Sequence, residues 1–235
     1  SVEDIHPPTG KMLLALGGMM NGYNGTIDFE QSDESYPDLH FITLRHINAF
    51  FSSLASPLLF LAMRLYGLQP PFAMLVALMV MLDSLLVIEG KLILIDGILY
   101  GFVALTIFSV CVLRAFPNSY WPCVLTAAAA ALASSTKLTA LGLLVFVEMQ
   151  LFVQFSFRSF FKKTFVVGFV FAVVFLMSYV IHFVVNQPIQ EGFILFRIFK
   201  YIRKWHRNNM HILKPHSAQS RWYEWPLVLM KAIPF

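Results

Sequence analysis

The sequence predicts an all-α polytopic membrane protein of about six spans, and three observations predict it. Hydrophobic residues make up 58% of the 235 and charged residues 13%, against roughly 45–50% and about 25% in soluble globular chains. The mean hydropathy is +0.69, and 24 Phe are more than a soluble core of this size needs. Apolar runs of crossing length recur along the chain with short polar linkers between them. This excludes a disordered chain, a disulfide scaffold, a collagen and an ordinary soluble enzyme. The net charge of +4 then concerns topology and lipid headgroups, and no nucleic-acid partner is expected.

In chain order the apolar segments are 41–63, 71–88, 92–113, 120–134, 139–156 and 164–185. The fourth continues toward 145 and is parted from the fifth only by Ser134-Ser135-Thr136-Lys137, which reads as a turn at the membrane surface. The linkers after the first, third and fifth segments carry Arg64, Arg114, Arg158, Lys162 and Lys163 and no acid. Residues 1–40 hold seven of the 13 acidic residues. The positive-inside rule therefore puts the odd linkers in the cytosol and both ends of the chain on the lumenal or outer side. The expected organisation is a first lumenal loop (1–40, partial), a transmembrane bundle (41–186) and a lumenal segment (187–235).

Within that last segment, 193–207 spaces Phe193, Phe196, Phe199 or Lys200, and Ile202 against Arg197, Lys200, Arg203, Lys204 and Arg207. This predicts a basic amphipathic helix lying in the interface. Trp222, Tyr223 and Trp225 resemble an aromatic belt. Cys111 and Cys123 both fall in apolar stretches and are expected as two buried thiols. No metal-ligand spacing, phosphate-cradling glycine loop or nucleophile elbow is present in the sequence.

Charged residues at the ends of such spans are functional candidates by default. Arg45 sits one turn into the first span beside His46 and Asn48; Glu89, Lys91 and Asp96 bracket the entrance to the third; Lys137 ends the fourth. Asp4, His6 and Lys11 from the first loop, and His211, His216 and Arg221 from the tail, fall on the same side. Several cations at one depth beside carboxylates suit an anionic headgroup such as a lipid phosphate. The competing reading is snorkelling charges and structural ion pairs. Asp83, Glu148 and His182, each isolated in its span, read as structural. Glycosyl transfer fits such a site, and so does an ion-coupled transporter.

Short motifs narrow the choice. Asp4-Ile5-His6-Pro7-Pro8-Thr9-Gly10-Lys11 is followed by Gly22-Tyr23-Asn24-Gly25 and Asp28-Phe29-Glu30, and then by Leu44-Arg45 opening a span. Lys91-Leu92-Ile93-Leu94-Ile95-Asp96, Ser134-Ser135-Thr136-Lys137 and His216-Ser217-Ala218-Gln219-Ser220-Arg221-Trp222-Tyr223-Glu224-Trp225-Pro226 complete the set. In this order they resemble the signature elements of the protein O-mannosyltransferases, membrane glycosyltransferases of the GT-C fold.

The resemblance implies an enzyme of the endoplasmic reticulum membrane, or of the plasma membrane in bacteria. Such an enzyme moves mannose from dolichyl (polyprenyl) phosphate mannose to Ser or Thr hydroxyls of secretory proteins, with inversion. It implies no bound cofactor or metal. Its partners would be membrane lipids, the lipid-linked donor, Ser/Thr-rich acceptors, and a second subunit in a homo- or heterodimer. The family's catalytic acid lies in an Asp-Glu pair upstream of the His-Pro-Pro element, so this chain is expected to lack it, as a fragment without the N-terminal and C-terminal spans. By the same resemblance Arg45 is the leading catalytic residue and Asp96 orients a cation or the acceptor. Asp4 and His6 shape the active-site loop. Arg45, Lys91, Lys137 and Arg221 face the donor phosphate, and His216 and Trp222 close the site. Lys91 stands where the family usually has Arg, and Leu138 where it has Trp. Another GT-C lipid-linked sugar transferase, such as one for aminoarabinose, and a non-catalytic scaffold or transporter are the alternatives.

Overall fold

The computed structural model describes residues 6–23, 40–186 and 193–210. Within them the chain is helical and without strands: α1 (Pro8–Met20), α2 (His40–Ser53), α3 (Ala55–Tyr66), α4 (Pro70–Met81), α5 (Ser84–Lys91), α6 (Asp96–Ala115), α7 (Trp121–Ser134), α8 (Gly142–Gln154), α9 (Phe157–Asn186) and α10 (Ile194–Met210). A short 3-10 turn, Leu138–Leu141, precedes α8. Residues up to 191 form one compact unit and α10 belongs to another.

All six predicted apolar segments are helical, but they are not six equal spans. Ile42–Tyr66, Asp96–Ala115 and Phe157–Val185 are each long and apolar enough to cross a bilayer. The 71–88 segment is a pair of helices, α4 and α5, bent by 52°. Asp83 sets that bend, because its carboxylate caps α5 by accepting the Leu86 N–H at 2.9 Å. Helices α7 and α8 are the shorter apolar elements. The 14 residues of α7 rise only about 21 Å at 1.5 Å each, short of a roughly 30 Å hydrocarbon core. The structure thus holds three spans by length and composition, or four with the bent pair, where the sequence predicts six.

Small residues decide which helices lie at the centre. Ala127, Ala129, Ala130, Ala131 and Ala133 are essentially inaccessible, and α7 packs between α6 and α9 on that account. Its other core neighbours include Val110, Leu113, Val147, Leu151, Val167 and Phe171. Cys111 and Cys123 are buried and unbridged, as expected. On α6, Gly97 and Gly101 let α2 approach to backbone contact. A Cβ at Gly97 would lie 2.7 Å from the Asn48 carbonyl oxygen, and one at Gly101 2.7 Å from that of Phe51. The outward faces are apolar: Phe157, Phe161, Phe165, Phe169, Val173, Met177 and Ile181 are exposed along α9 at four-residue spacing. A stripe of that kind suits lipid, not water.

Contacts sort the linkers onto two ends of the bundle. Arg114 lies over the Tyr66 ring at 4.7 Å, and Lys163 Nζ donates to the Ser119 carbonyl at 3.0 Å. These join the three linkers rich in cations. At the other end of the bundle, Thr9 bonds to Ser135 and so joins the start of α1 to the turn after α7. Helix α1 itself lies inside the segment read from sequence as the first loop. It packs on α2 and α9.

In α10 the predicted basic amphipathic helix is present with a different stripe. Phe193, Phe196 and Phe199 are exposed alongside Lys200, Arg203, Lys204 and Arg207, whereas Ile198 is buried and Leu195, Tyr201 and Ile202 are half-buried. Steps of three residues fall about 60° short of a turn each time. The apolar face therefore runs through Leu195, Ile198 and Ile202.

Candidate functional site

The end of the bundle that holds α1 gathers most of the residues singled out by sequence. Asp96 opens α6, where the free N–H groups and helix dipole favour a carboxylate. Its Oδ1 lies 2.7 Å from Lys137 Nζ, an ion pair across 41 residues. The two side chains are 18% and 31% accessible. The pair is therefore partly desolvated yet reachable, so a second anion could share the ammonium.

The Ser134–Lys137 turn that carries this lysine is fixed from beneath. Thr9 donates its hydroxyl to Ser135 Oγ at 2.7 Å and its N–H to the Ser135 carbonyl at 2.9 Å. Pro8 stands in the first turn of α1, and its preset φ starts the helix there. Gly10 follows, and only glycine fits: a Cβ would lie 2.8 Å from Ile95 Cγ2 and 2.9 Å from Thr136 Cγ2. These two neighbours immediately precede Asp96 and Lys137. The His-Pro-Pro-Thr-Gly element thus wedges against the residues that immediately precede both members of the ion pair. Lys11 Nζ donates to the His6 carbonyl at 2.8 Å, folding the entry of α1 onto itself.

Asn48 supplies the third support. It is wholly buried in α2. Its amide donates to the carbonyls of Glu89 at 2.6 Å and Leu92 at 2.9 Å, and its Oδ1 accepts the Ile98 N–H at 3.1 Å. One side chain thereby fixes both ends of the 92–95 connection between Lys91 and Asp96. Glu89, in turn, accepts a hydrogen bond from the Tyr100 hydroxyl. Arg45 is exposed on α2, three residues before Asn48 and so on a neighbouring face.

Among the predicted residues, then, Asp96 and Lys137 meet, and Arg45 and His6 sit on the elements that brace them. Lys91 does not join that pair. It makes no hydrogen bond or ion pair with a described residue and instead lines a largely apolar groove of about 350 Å³ with Ser52, Ser56, Val80, Leu86 and Val87. Asp4, His216, Arg221 and Trp222 lie outside the described residues. Among the described residues no three His, Cys, Asp or Glu side chains converge as a metal site would need. Asp83 is a helix cap, and Glu148 accepts the Thr164 hydroxyl at 2.6 Å between α8 and α9, so both hold the scaffold. Sequence reasoning quoted Thr9 within a motif without giving it a role, left out Tyr100, and missed the clamping role of Asn48. An amide in the middle of an apolar run was the available signal for the last.

Comparison with known proteins identifies the family. Residues 2–190 match the family described as dolichyl-phosphate-mannose-protein mannosyltransferase. The chain is 43% identical over 107 residues to dolichyl-phosphate-mannose–protein mannosyltransferase 2 of Candida albicans, a match covering 45% of this chain and 14% of that protein. It is 38% identical over 107 residues to mannosyltransferase 3 of Saccharomyces cerevisiae, with the same coverage of 45% and 14%. In structure it resembles a chain of the S. cerevisiae protein O-mannosyltransferase Pmt1-Pmt2 complex bound to the sugar donor. That match has a TM-score of 0.67 at 28% identity and covers 77% of this chain and 27% of that one. The chain thus spans well under a third of the length of the relatives it matches. By its matched residues and its helical membrane bundle, this chain belongs to the dolichyl-phosphate-mannose-protein mannosyltransferase family.

Proposed function

We propose that the chain carries part of the working site of a protein O-mannosyltransferase of the endoplasmic reticulum membrane. In that reading mannose passes from dolichyl phosphate mannose to a Ser or Thr hydroxyl of a secretory protein, with inversion at the anomeric carbon. The observation that carries the reading is the Lys137–Asp96 pair, held at 2.7 Å on the turn against which the His-Pro-Pro-Thr-Gly element docks.

The acceptor hydroxyl attacks the anomeric carbon, and the bond from that carbon to the phosphate oxygen breaks. Its electron pair leaves with dolichyl phosphate, and the hydroxyl proton goes to a carboxylate base. The family resemblance assigns that base to an Asp-Glu pair upstream of His6, not to Asp4. Charge grows on the phosphate as the bond breaks, so fixed cations stabilise the transition state more than the ground state. Lys137 fits that role here, with Asp96 setting its direction. Arg45, Lys91 and Arg221 are the further candidates. The apolar groove beside Lys91 suits the donor's isoprenoid chain. Asp4 and His6 would shape the loop, and His216 and Trp222 would close it. A paired subunit is part of the proposal, because the structural neighbour is a two-protein complex.

The test is transfer of radiolabelled mannose from dolichyl phosphate mannose to a Ser/Thr-rich peptide. It uses membranes carrying the full-length protein or its Arg45→Ala variant. Transfer lost in the variant at equal expression supports the reading. Near-normal turnover removes Arg45 from the site, and no transfer by either protein sinks the mannosyltransferase proposal.

A further inference from the structure

A second cavity, of about 450 Å³, opens at the other end of the bundle, between the linker after α6 and the start of α9. Three cations line it: Arg158, Lys162 and Lys163. Arg158 and Lys162 are exposed, but Lys163 is 2% accessible. Its ammonium donates to the Ser119 carbonyl at 3.0 Å, lies 3.9 Å from Cys123 Sγ, and sits 4.9 and 4.7 Å from the ring centres of Tyr120 and Phe155. None of the three cations has a carboxylate of a described residue within ion-pair distance. The linkers that carry them contain no Asp or Glu at all. A buried ammonium with one carbonyl and two ring faces is poorly compensated.

Apart from Pro117, the rest of the wall carries polar groups as well. Ser156 and Ser159 flank the first residues of α9, a 30-residue helix with no acid in its first turn. Its leading N–H groups and dipole add to the positive potential. Asn118 and Tyr120 add an amide and a phenol. Immediately outside, Phe116, Trp121, Phe157 and Phe161 are exposed, the aromatic girdle expected at headgroup depth. The cavity thus joins a basic, hydroxyl-rich interior to an apolar rim, on the face that the charge pattern assigns to the cytosol.

We propose that this cavity binds the headgroup of a phosphoinositide-type lipid, an anionic phosphate carrying a polyol, with the acyl chains lying along the aromatic rim. The phosphate faces Arg158, Lys162 and Lys163 and offsets the buried charge. The ring hydroxyls meet Ser156, Ser159, Asn118 and Tyr120. A volume of 450 Å³ exceeds what a phosphate alone fills and falls in the range of small-molecule pockets. The site is separate from the Asp96–Lys137 end and does not depend on the transfer reaction.

The test is native mass spectrometry of the full-length protein in detergent, titrated with dioctanoyl phosphatidylinositol 4-phosphate. Dioctanoyl phosphatidylcholine and free inositol 1,4-bisphosphate are the comparisons. Wild type should retain the phosphoinositide well above phosphatidylcholine and show a raised melting temperature with it. Arg158→Gln with Lys162→Gln should weaken retention about thirtyfold, the loss expected from two interfacial cations. Arg64→Gln, a cation on the same face that does not line the cavity, should leave retention unchanged. Equal retention by the double variant overturns the site. So does equal loss in Arg64→Gln, which would mean diffuse attraction only. Inositol bisphosphate binding as tightly as the lipid overturns the lipid assignment.

Discussion

Asn48→Ala tests the brace behind the ion pair, and its cost can be worked from the geometry. The substitution removes three hydrogen bonds, at 2.6, 2.9 and 3.1 Å, each joining α2 to another element. Interhelical bonds in membrane bundles average about 0.6 kcal/mol, so three supply roughly 2 kcal/mol. The Ile98 N–H adds to this, because Ile98 is fully buried and the donor sits in the first turn of α6 without an intrahelical partner. An unsatisfied donor of this kind costs about 1–3 kcal/mol, although a water drawn into the vacated space would recover part. The expected destabilisation is about 2–4 kcal/mol. Asn48→Asp should cost at least as much, since it keeps the acceptor for Ile98 but turns a second oxygen onto two carbonyls. The assay is equilibrium unfolding of the full-length protein in mixed micelles, followed by circular dichroism. Ser53→Ala serves as control, because that hydroxyl bonds only within α2, to Phe50. A loss under 0.5 kcal/mol for Asn48→Ala, matching Ser53→Ala, would refute the clamp.

Other substitutions probe neighbouring parts. Gly101→Ala should destabilise by about 1–3 kcal/mol through overpacking against the Phe51 backbone. Gly168→Ala, with open space around the new methyl, should stabilise by about 0.5–1 kcal/mol from helix propensity; the same unfolding assay reads both. Thr9→Val removes the 2.7 Å bond to Ser135 and should cost about 1–2 kcal/mol while lowering transfer more than an exposed control does. Lys137→Ala should raise the KM for the lipid donor and leave that for the acceptor peptide near wild type. Unchanged donor KM would remove Lys137 from the phosphate site.

What the sequence made legible follows from range. Hydropathy over 20-residue windows located every helical segment from 41 to 186, because lipid-facing and core-facing residues are apolar alike. It could not see the breaks, since the turn at Asp83 depends on a single cap and the shortness of α7 on a four-residue turn. Helix α1 was hidden for a related reason: its apolar run is too short to cross, so it reads as loop until Gly10 and Thr9 are set against Ile95 and Ser135. The Asp96–Lys137 pair was legible as two charges near span ends and illegible as a pair. Asp96 stands five residues from Lys91 in sequence, yet its partner is Lys137, 41 residues on, because α6 and α7 run side by side and return the chain to the same end. In α10 the composition was right and the register wrong, a consequence of reading a 3.6-residue helix in threes.

The two ends of the bundle treat positive charge differently, and on the proposed function the difference would bear on turnover. At the α1 end Lys137 already has Asp96 at 2.7 Å, so on the proposed function an arriving donor phosphate would meet an ammonium whose field is partly cancelled. Ground-state attraction is then modest. As the sugar–phosphate bond breaks and charge accumulates, the ammonium can turn from a carboxylate with fixed charge to an oxygen whose charge is rising. That favours the transition state over the bound donor, the condition for raising kcat and not merely lowering KM. In the proposed reaction it would also leave Asp96 to reclaim the lysine as dolichyl phosphate departs. Asp96→Asn should therefore bind the donor and the product more tightly, and release should slow. A lower donor KM with a lower kcat, together with stronger inhibition by dolichyl phosphate, is the expected signature. At the Lys163 end no carboxylate of a described residue plays that part, so an anion bound there would meet no such competitor. On these two proposals the same cation chemistry would serve exchange where an acid competes and retention where none does.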